Sequence, residues 1–269
     1  MKPKTVIVLG MGRSGTSPTA DILRRLGVNW GPEVLMMKPL PDNPLGFWEF
    51  IPFYEINVEL LRRLGGDWHR PPNLTSGWER SKDLDYLRVR ASNIIRRYFR
   101  VPMWGFKDPR CCLTLPFWET VISNPIECVI PIRNPLEVAS SLYRREGLSI
   151  SGGLSLWAKY VSWAWQASQK FRRIVVSYDL LLENTRSQIL RLADFLGLKN
   201  SPEVIENAAC VIHSGHKHQK ADPQELSSNV EVSELVRGLY QELRKLSVDE
   251  AAEVDRFVKT SSSQESLRA

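Results

Sequence analysis

The stretch GMGRSGTS, from Gly10 to Ser17, carries the residues best suited to binding an anion. A glycine-rich turn that leads into a helix presents backbone N–H groups to a phosphate. Arg13 adds a fixed positive charge inside the turn, and three hydroxyls lie next to it. The sequence therefore predicts a phosphate-binding loop. Its binding residues are Gly12, Arg13, Ser14, Gly15, Thr16 and Ser17.

Three kinds of nucleotide site are weighed for this loop. The spacing G-x-G-x-x-G is typical of dinucleotide-binding folds, which need an acidic residue at the end of a second strand. Glu33 is near the right distance, but it lies among Gly and Pro, where a strand is not expected. A P-loop kinase needs Lys where Thr16 stands, although Asp179 resembles its magnesium ligand. A loop with Arg13 and no such Lys favours a third ligand, whose phosphate needs no metal bridge.

A second block with an arginine and a serine follows the third predicted strand, in VIPIRNPLEVASSLYRRE. Arg133 ends that strand, and the carboxyl edge of a parallel sheet is where α/β folds bind ligands. Ser141 lies two turns into the next helix. The two side chains can therefore converge on one phosphate.

These blocks resemble those of the sulfotransferases that use 3′-phosphoadenosine 5′-phosphosulfate (PAPS). The first is similar to the family's 5′-phosphosulfate loop and the second to its 3′-phosphate block. A looser third block, VVSYDLLLENTRSQILRLADFLGL, places Tyr178 where relatives have an aromatic residue near the nucleotide. The resemblance covers roughly residues 5–200. It implies PAPS as donor, 3′,5′-adenosine bisphosphate (PAP) as product and no metal. It also implies that cationic sites at Arg13 and Arg133 bind opposite ends of the nucleotide.

Two of the expected catalytic residues are basic. Arg13 is placed to stabilise the charge that develops on the leaving 5′-phosphate. Lys107, in WGFKDPRCC, ends the second predicted strand at the same edge of the sheet. Golgi-type members of the family carry a similar K-D-P stretch, so the resemblance implies that Lys107 lies beside the sulfuryl group. Asp108 and Arg110 then either orient it or bind the acceptor.

The catalytic base is expected to be Glu49. Golgi-type and many bacterial relatives place a Glu in the loop after the first helix, where this chain has DNPLGFWEF. The neighbours Trp48 and Phe50 are apolar, and desolvation by such neighbours raises the pKa of a carboxylate towards the range useful for proton transfer. Asp108 is the alternative base.

The predicted acceptor is a hydroxyl compound, with a carbohydrate or glycoconjugate favoured over a small alcohol or phenol. Aromatic residues on one later helix, Trp157, Tyr160, Trp163 and Trp165, can line an acceptor cleft or belong to the core. A nucleotide-binding protein that has lost catalysis is the competing hypothesis of another class.

Four apolar runs predict the strands that position these residues: TVIVLG, VPMWGFKD, IECVIPIRNP and RRIVVSYDLL. Helical patterns alternate with them, so we expect a P-loop-type, three-layer α/β fold with a central parallel sheet of about four or five strands. Ser17 and Pro18 predict the start of the first helix, and Pro135 opens the helix that carries Ser141.

The remaining segments complete the prediction of one domain over residues 1–260 with a frayed tail at 261–269. Residues 28–52 are expected to form a loop over the site, and helices are expected near 53–64, 82–99, 153–171, 185–198, 230–245 and 248–259. The polar segment 212–229 holds His216 and His218 and is interpreted as a lid, with a metal site as the less favoured alternative.

Composition narrows the partners and the compartment. The chain has 269 residues, a formal charge of +6 and a pI near 9.2, but its basic residues are scattered, which argues against nucleic-acid binding. No apolar run is long enough to cross a membrane, and the N-terminus lacks a signal cleavage site. The four cysteines form no C-x-x-C pair, which fits a reducing, cytoplasmic environment.

Overall fold

A four-stranded parallel sheet forms the centre of the protein. The computed structural model describes residues 2–40, 46–212, 226 and 229–248. The strands are β1 (Lys4–Val8), β2 (Met103–Lys107), β3 (Ile126–Ile132) and β4 (Arg172–Ser177). Every residue of β2 and β3 is buried, as expected for a parallel sheet covered on both faces. The predicted α/β class and its parallel sheet are confirmed.

The strand order is β2-β1-β3-β4. From β1 the chain crosses to β2 on one side and then returns to β3 on the other side. The connections that follow β1 and β3 therefore diverge, which opens a crevice between the carboxyl ends of these two strands. The phosphate-binding loop follows β1 and Arg133 follows β3, so the topology brings the two predicted blocks to one place.

Ten α-helices lie in the described part of the chain. They are α1 (Thr16–Arg25), α2 (Ile51–Arg63), α3 (Asp85–Tyr98), α4 (Cys111–Glu119), α5 (Pro135–Glu146), α6 (Ile150–Ala167), α7 (Tyr178–Glu183), α8 (Thr185–Phe195), α9 (Pro202–Ala209) and α10 (Glu234–Leu246). None of the helices in these ranges is long and apolar enough to cross a membrane.

Two helix starts and one strand end differ from the prediction, each because of a local cap. Helix α1 begins at Thr16, since Gly15 adopts a left-handed conformation and acts as the N-cap; Ser17 lies inside the first turn instead of at the N-cap. Helix α6 begins at Ile150, where the Ser149 hydroxyl accepts from the N–H of Gly152. The fourth predicted strand ends at Ser177, whose hydroxyl caps α7.

Some predicted segments cannot be compared. The histidines of the 212–229 segment lie outside the described residues, as do residues 249–259 of the last expected helix and the tail. Helix α4 was not predicted, because its sequence CCLTLPFWE is apolar on all sides and contains Pro116.

Candidate active site

The phosphate-binding loop is held in shape by its glycines. A Cβ on Gly10 would lie 3.0 Å from the carbonyl oxygen of Pro131, so the loop runs close against β3. Gly15 has a φ of +84°, and a Cβ there would lie 2.4 Å from the ring of Tyr178. Arg13 also has a positive φ, 73°, which few non-glycine residues adopt. Such strain persists where the surroundings impose it, and it marks functional loops.

The replacement Gly15→Ala is expected to lose both stability and nucleotide affinity. The new methyl group would clash with the Tyr178 ring. The backbone of the alanine would also have to adopt a left-handed conformation, which by itself lowers stability by about 1–3 kcal/mol. Urea unfolding and calorimetric titration with PAP measure the two effects.

Gly65→Ala is the matched control for that variant. Gly65 has a nearly identical φ of +85°, and a Cβ there would meet nothing within 4 Å. Gly65→Ala should lose only the stability that the left-handed backbone conformation costs, and it should keep wild-type affinity for PAP. Equal losses in both variants would show that the Tyr178 contact does not matter.

The arginines of the two predicted blocks lie in one basic cluster. Nε of Arg13 donates to the Ser141 hydroxyl at 2.9 Å, and Nη1 of Arg133 lies 3.4 Å from the carbonyl oxygen of Arg13. Glu137 accepts from Nε of Arg133 at 2.6 Å, and the Arg133 guanidinium lies 5.0 Å from the centre of the Tyr178 ring. The two predicted cationic sites are therefore adjacent and form one contiguous cluster in the crevice between β1 and β3; that they bind opposite ends of one nucleotide stays a prediction.

The other predicted binding residues take different positions around this cluster. Gly12, Thr16 and Ser17 line the pocket in front of the loop. Ser14 is fully buried, and its hydroxyl has no hydrogen-bond partner among the described residues. Tyr178 is also buried, and its ring packs against both Gly15 and the Arg133 guanidinium.

Lys107 and Glu49 form a buried ion pair beside the loop. Nζ of Lys107 lies 2.6 Å from Oε1 of Glu49 and donates to the Ser17 hydroxyl at 3.2 Å. The side chains of Lys107 and Glu49 are 2% and 8% exposed, and Oε2 of Glu49 has no partner within the described ranges. Burial raises the pKa of the Glu49 carboxyl above its usual value, and the Lys107 ammonium offsets this effect only in part.

An unusual backbone turn directs Glu49 into the site. Trp48 has a φ of 60°, a left-handed conformation that is rare for a bulky residue. The indole N–H of Trp30 donates to the Trp48 carbonyl at 2.9 Å, and the guanidinium of Arg24 lies 4.6 Å from the centre of a Trp48 ring. The N–H of Met37 donates to the Glu49 carbonyl at 2.8 Å. These contacts fix the turn, and the sequence pattern gave no signal for it.

Asp108 is placed differently from Glu49. Its Oδ1 accepts from the backbone N–H of Arg110 at 2.8 Å and from Nη1 of the same residue at 3.1 Å. Its Oδ2 accepts from the amide of Asn57 at 3.1 Å, and Asp108 does not line the pocket. Both oxygens are thus engaged in holding Arg110 and α2, which favours Glu49 over Asp108 as the base.

Asn57 is a buried polar residue that the sequence analysis missed. It lies on the apolar face of α2 and is fully buried. Besides donating to Asp108, it accepts from the hydroxyl of Thr114 and the indole of Trp118. A lone Asn on an otherwise apolar helix face was the signal that could have found it, because buried amides must be hydrogen-bonded.

A pocket of about 340 Å³ connects the loop with the buried ion pair. Its lining includes the loop residues with Glu49 and Lys107. It also includes aromatic and basic side chains from α2, α5, α6 and the segments that follow β2 and α2. These are Tyr54, Trp68, Arg110, Arg145 and Tyr160. Tyr160 donates to the Trp68 carbonyl at 3.0 Å, so one residue of the aromatic helix lines the pocket while Trp157 belongs to the core.

The residues of the rejected alternatives lie elsewhere. Asp179 accepts from the hydroxyl of Tyr240 on α10 at 2.9 Å, and Glu33 is exposed in a short 3₁₀ helix. Within the part of the chain that the structure describes, no cluster of His, Cys, Asp or Glu could hold a metal ion.

The comparison with protein families decides the family. The sequence model described as the sulfotransferase domain matches residues 3–248. The chain belongs to the sulfotransferase family. The predicted family and its activity, transfer of a sulfuryl group, are thereby confirmed. A comparison with curated protein sequences finds no match.

Solved structures of sulfotransferases are similar to this chain, and one with a TM-score above 0.5 shows the same fold. The sulfotransferase domain of the Synechococcus PCC 7002 olefin synthase is 18% identical with a TM-score of 0.51, over 97% of this chain and 95% of that one. A sulfotransferase domain from the curacin biosynthetic pathway is 16% identical with a TM-score of 0.46, over 98% of both chains. Sulfotransferase STF9 from Mycobacterium avium is 13% identical with a TM-score of 0.48, over 82% and 70% respectively.

Proposed function

We propose that this sulfotransferase takes its sulfuryl group from PAPS and transfers it to a hydroxyl of a compact acceptor. The contiguous cluster of Arg13, Arg133 and Ser141 carries this proposal. In PAPS both phosphates are attached to one ribose, so their binding groups must lie close together. Two guanidiniums, a hydroxyl and a helix N-terminus within one crevice suit that ligand.

Arg133 and Ser141 are assigned to the 3′-phosphate. Glu137 fixes the Arg133 side chain through Nε, and the Tyr178 ring lies against its guanidinium. The guanidinium is thus preorganised before any ligand arrives, which lowers the entropy lost on binding.

Arg13 and the first turn of α1 are assigned to the 5′ end. The N–H groups of a helix's first turn have no intrahelical partner and attract an anion. When bound, PAPS supplies a sulfuryl group activated by its 5′-phosphate. Arg13, Thr16 and Ser17 then stabilise the negative charge that grows on the leaving phosphate oxygen.

Glu49 is assigned the proton transfer and Lys107 the charge beside it. The carboxylate of Glu49, which lines the pocket, accepts the proton of the acceptor hydroxyl. Lys107 holds a positive charge between Glu49 and Ser17, so it links the base to the helix N-terminus where negative charge develops.

The raised pKa of Glu49 predicts the pH dependence of turnover. The base acts only when it is ionised, so kcat should fall as the pH drops through that raised pKa. The acidic limb should therefore lie above the usual pKa range of a glutamate. The pH profile of kcat at saturating PAPS measures it, and a limb at the ordinary glutamate value would contradict the assignment.

The pocket favours a compact acceptor over an extended glycan. Its volume of about 340 Å³ lies at the lower end of the range of small-molecule sites, which is roughly 300–1,000 Å³. The small alcohol or phenol, the less favoured acceptor of the sequence analysis, is therefore our choice.

Turnover of ³⁵S-labelled PAPS with a panel of phenols, alcohols and oligosaccharides tests the proposal. We expect labelled products from small hydroxyl compounds. PAP binding without any transfer would favour the protein that has lost catalysis, and magnesium-dependent transfer from ATP would favour a kinase.

A further inference from the structure

Arg110 lines the acceptor pocket with part of its hydrogen-bonding capacity unused. Its side chain is only 14% exposed. Nη1 donates to Asp108, while Nε and Nη2 have no acceptor among the described residues. These nitrogens are not among the sealed, unpaired polar atoms of the described residues, and Arg110 lines the pocket.

The guanidinium of Arg110 is also rigidly held. Asp108 accepts from both its side chain and its backbone N–H, and Asn57 fixes Asp108 from the other side. The ring of Tyr54 lies 4.7 Å from the guanidinium carbon. A buried cation with a fixed orientation and unused parallel donors matches the two oxygens of a carboxylate.

The charges around the pocket favour an anion at this position. Glu49 is already paired with Lys107, and Glu146 with Arg145 at 2.9 Å. Arg13 is reserved for the donor. Arg110 then has donors left for the acceptor. The pocket-lining aromatic residues Tyr54, Trp68 and Tyr160 suit the apolar body of a small molecule.

We propose that the acceptor is a small hydroxy acid, whose carboxylate is bound by Arg110 while its hydroxyl faces Glu49. This inference rests on the proposed function and names its substrate class. Arg110 is thus a specificity-determining residue on the acceptor side of the pocket.

Pairs of acids and methyl esters test the inference in the PAP-saturated protein. The probes are 4-hydroxyphenylacetate, 3-hydroxyphenylacetate and 6-hydroxyhexanoate, each with its methyl ester. For at least one pair the acid should bind about 10- to 100-fold more tightly than the ester, since hydrogen bonds to charged groups have that effect. Calorimetry measures this without turnover, and kcat/KM with PAPS should show the same preference.

Three variants test whether Arg110 causes the preference for the acid over the ester. Arg110→Met should abolish the difference between acid and ester while PAP affinity stays within about twofold of wild type. Arg110→Lys should keep part of the difference. Arg63→Met is the matched control, because Arg63 also pairs with a carboxylate and lies over a tyrosine ring, but on the outer face of α2.

Two results would overturn the inference: equal affinity for acid and ester in every wild-type pair, or a preference that survives in Arg110→Met. The wild-type comparison needs no folded variant. Failure of PAP to bind would instead count against the proposed function, so the two failures are distinguishable.

Discussion

Glu49→Gln is expected to lower kcat by about 100- to 10,000-fold, the usual contribution of a general base. Glutamine keeps the size of the side chain and can still accept from Lys107, but it cannot take up the hydroxyl proton. Affinity for PAP should stay close to wild type, because Glu49 is not among the groups assigned to either phosphate. Steady-state kinetics at saturating PAPS, together with calorimetry, separates the two effects.

Glu127→Gln is the control for that variant. Glu127 is a buried glutamate paired with Lys4 and Arg172 in the amino-terminal half of β3, away from the pocket. It should keep kcat within about twofold of wild type. A second comparison uses Asp108→Asn: loss of the acidic limb in that variant, and its survival in Glu49→Gln, would make Asp108 the base.

Arg13→Met is expected to lower kcat by about 100- to 1,000-fold. This is the usual effect of removing one group that stabilises the charge that develops in the transition state. The leaving phosphate would lose the guanidinium placed to neutralise it. Arg133→Met should act differently, because it weakens PAP binding by about 10- to 100-fold and leaves kcat at saturation near wild type. Kinetics at several PAPS concentrations distinguishes these patterns.

Arg186→Met is the control for both arginine variants, since it removes an exposed guanidinium paired with Glu206 far along the chain on α8. Its kinetics should match those of wild type. If Arg13→Met and Arg133→Met affected only affinity, and to the same extent, the division of roles between them would be wrong.

The sequence was sufficient for features that depend on local patterns. Alternating apolar runs and helical segments predicted the parallel sheet, and the glycines with Arg13 predicted the loop. Arg133 and Ser141 followed from the resemblance to the family's 3′-phosphate block, and the end of one strand and the spacing along one helix agreed with it. In each case the residues that act together are close in sequence or follow from the general rule about strand ends.

Features that depend on long-range packing were missed or only guessed. The contact of Lys107 with Glu49 joins residues 58 positions apart, and it depends on a turn at Trp48 that three other segments hold in place. The joining of the two phosphate blocks depends on the strand order, which no local pattern encodes. The role of Asp108 likewise depends on Asn57 from another helix.

Calorimetric titration of the protein with PAP and with 5′-AMP tests the central claim most directly, because only PAP carries the 3′-phosphate. The account predicts that PAP binds at least about 10-fold more tightly than 5′-AMP, and that Arg133→Met removes this difference. Equal affinity of the wild-type protein for the two nucleotides would contradict the single two-phosphate site between β1 and β3.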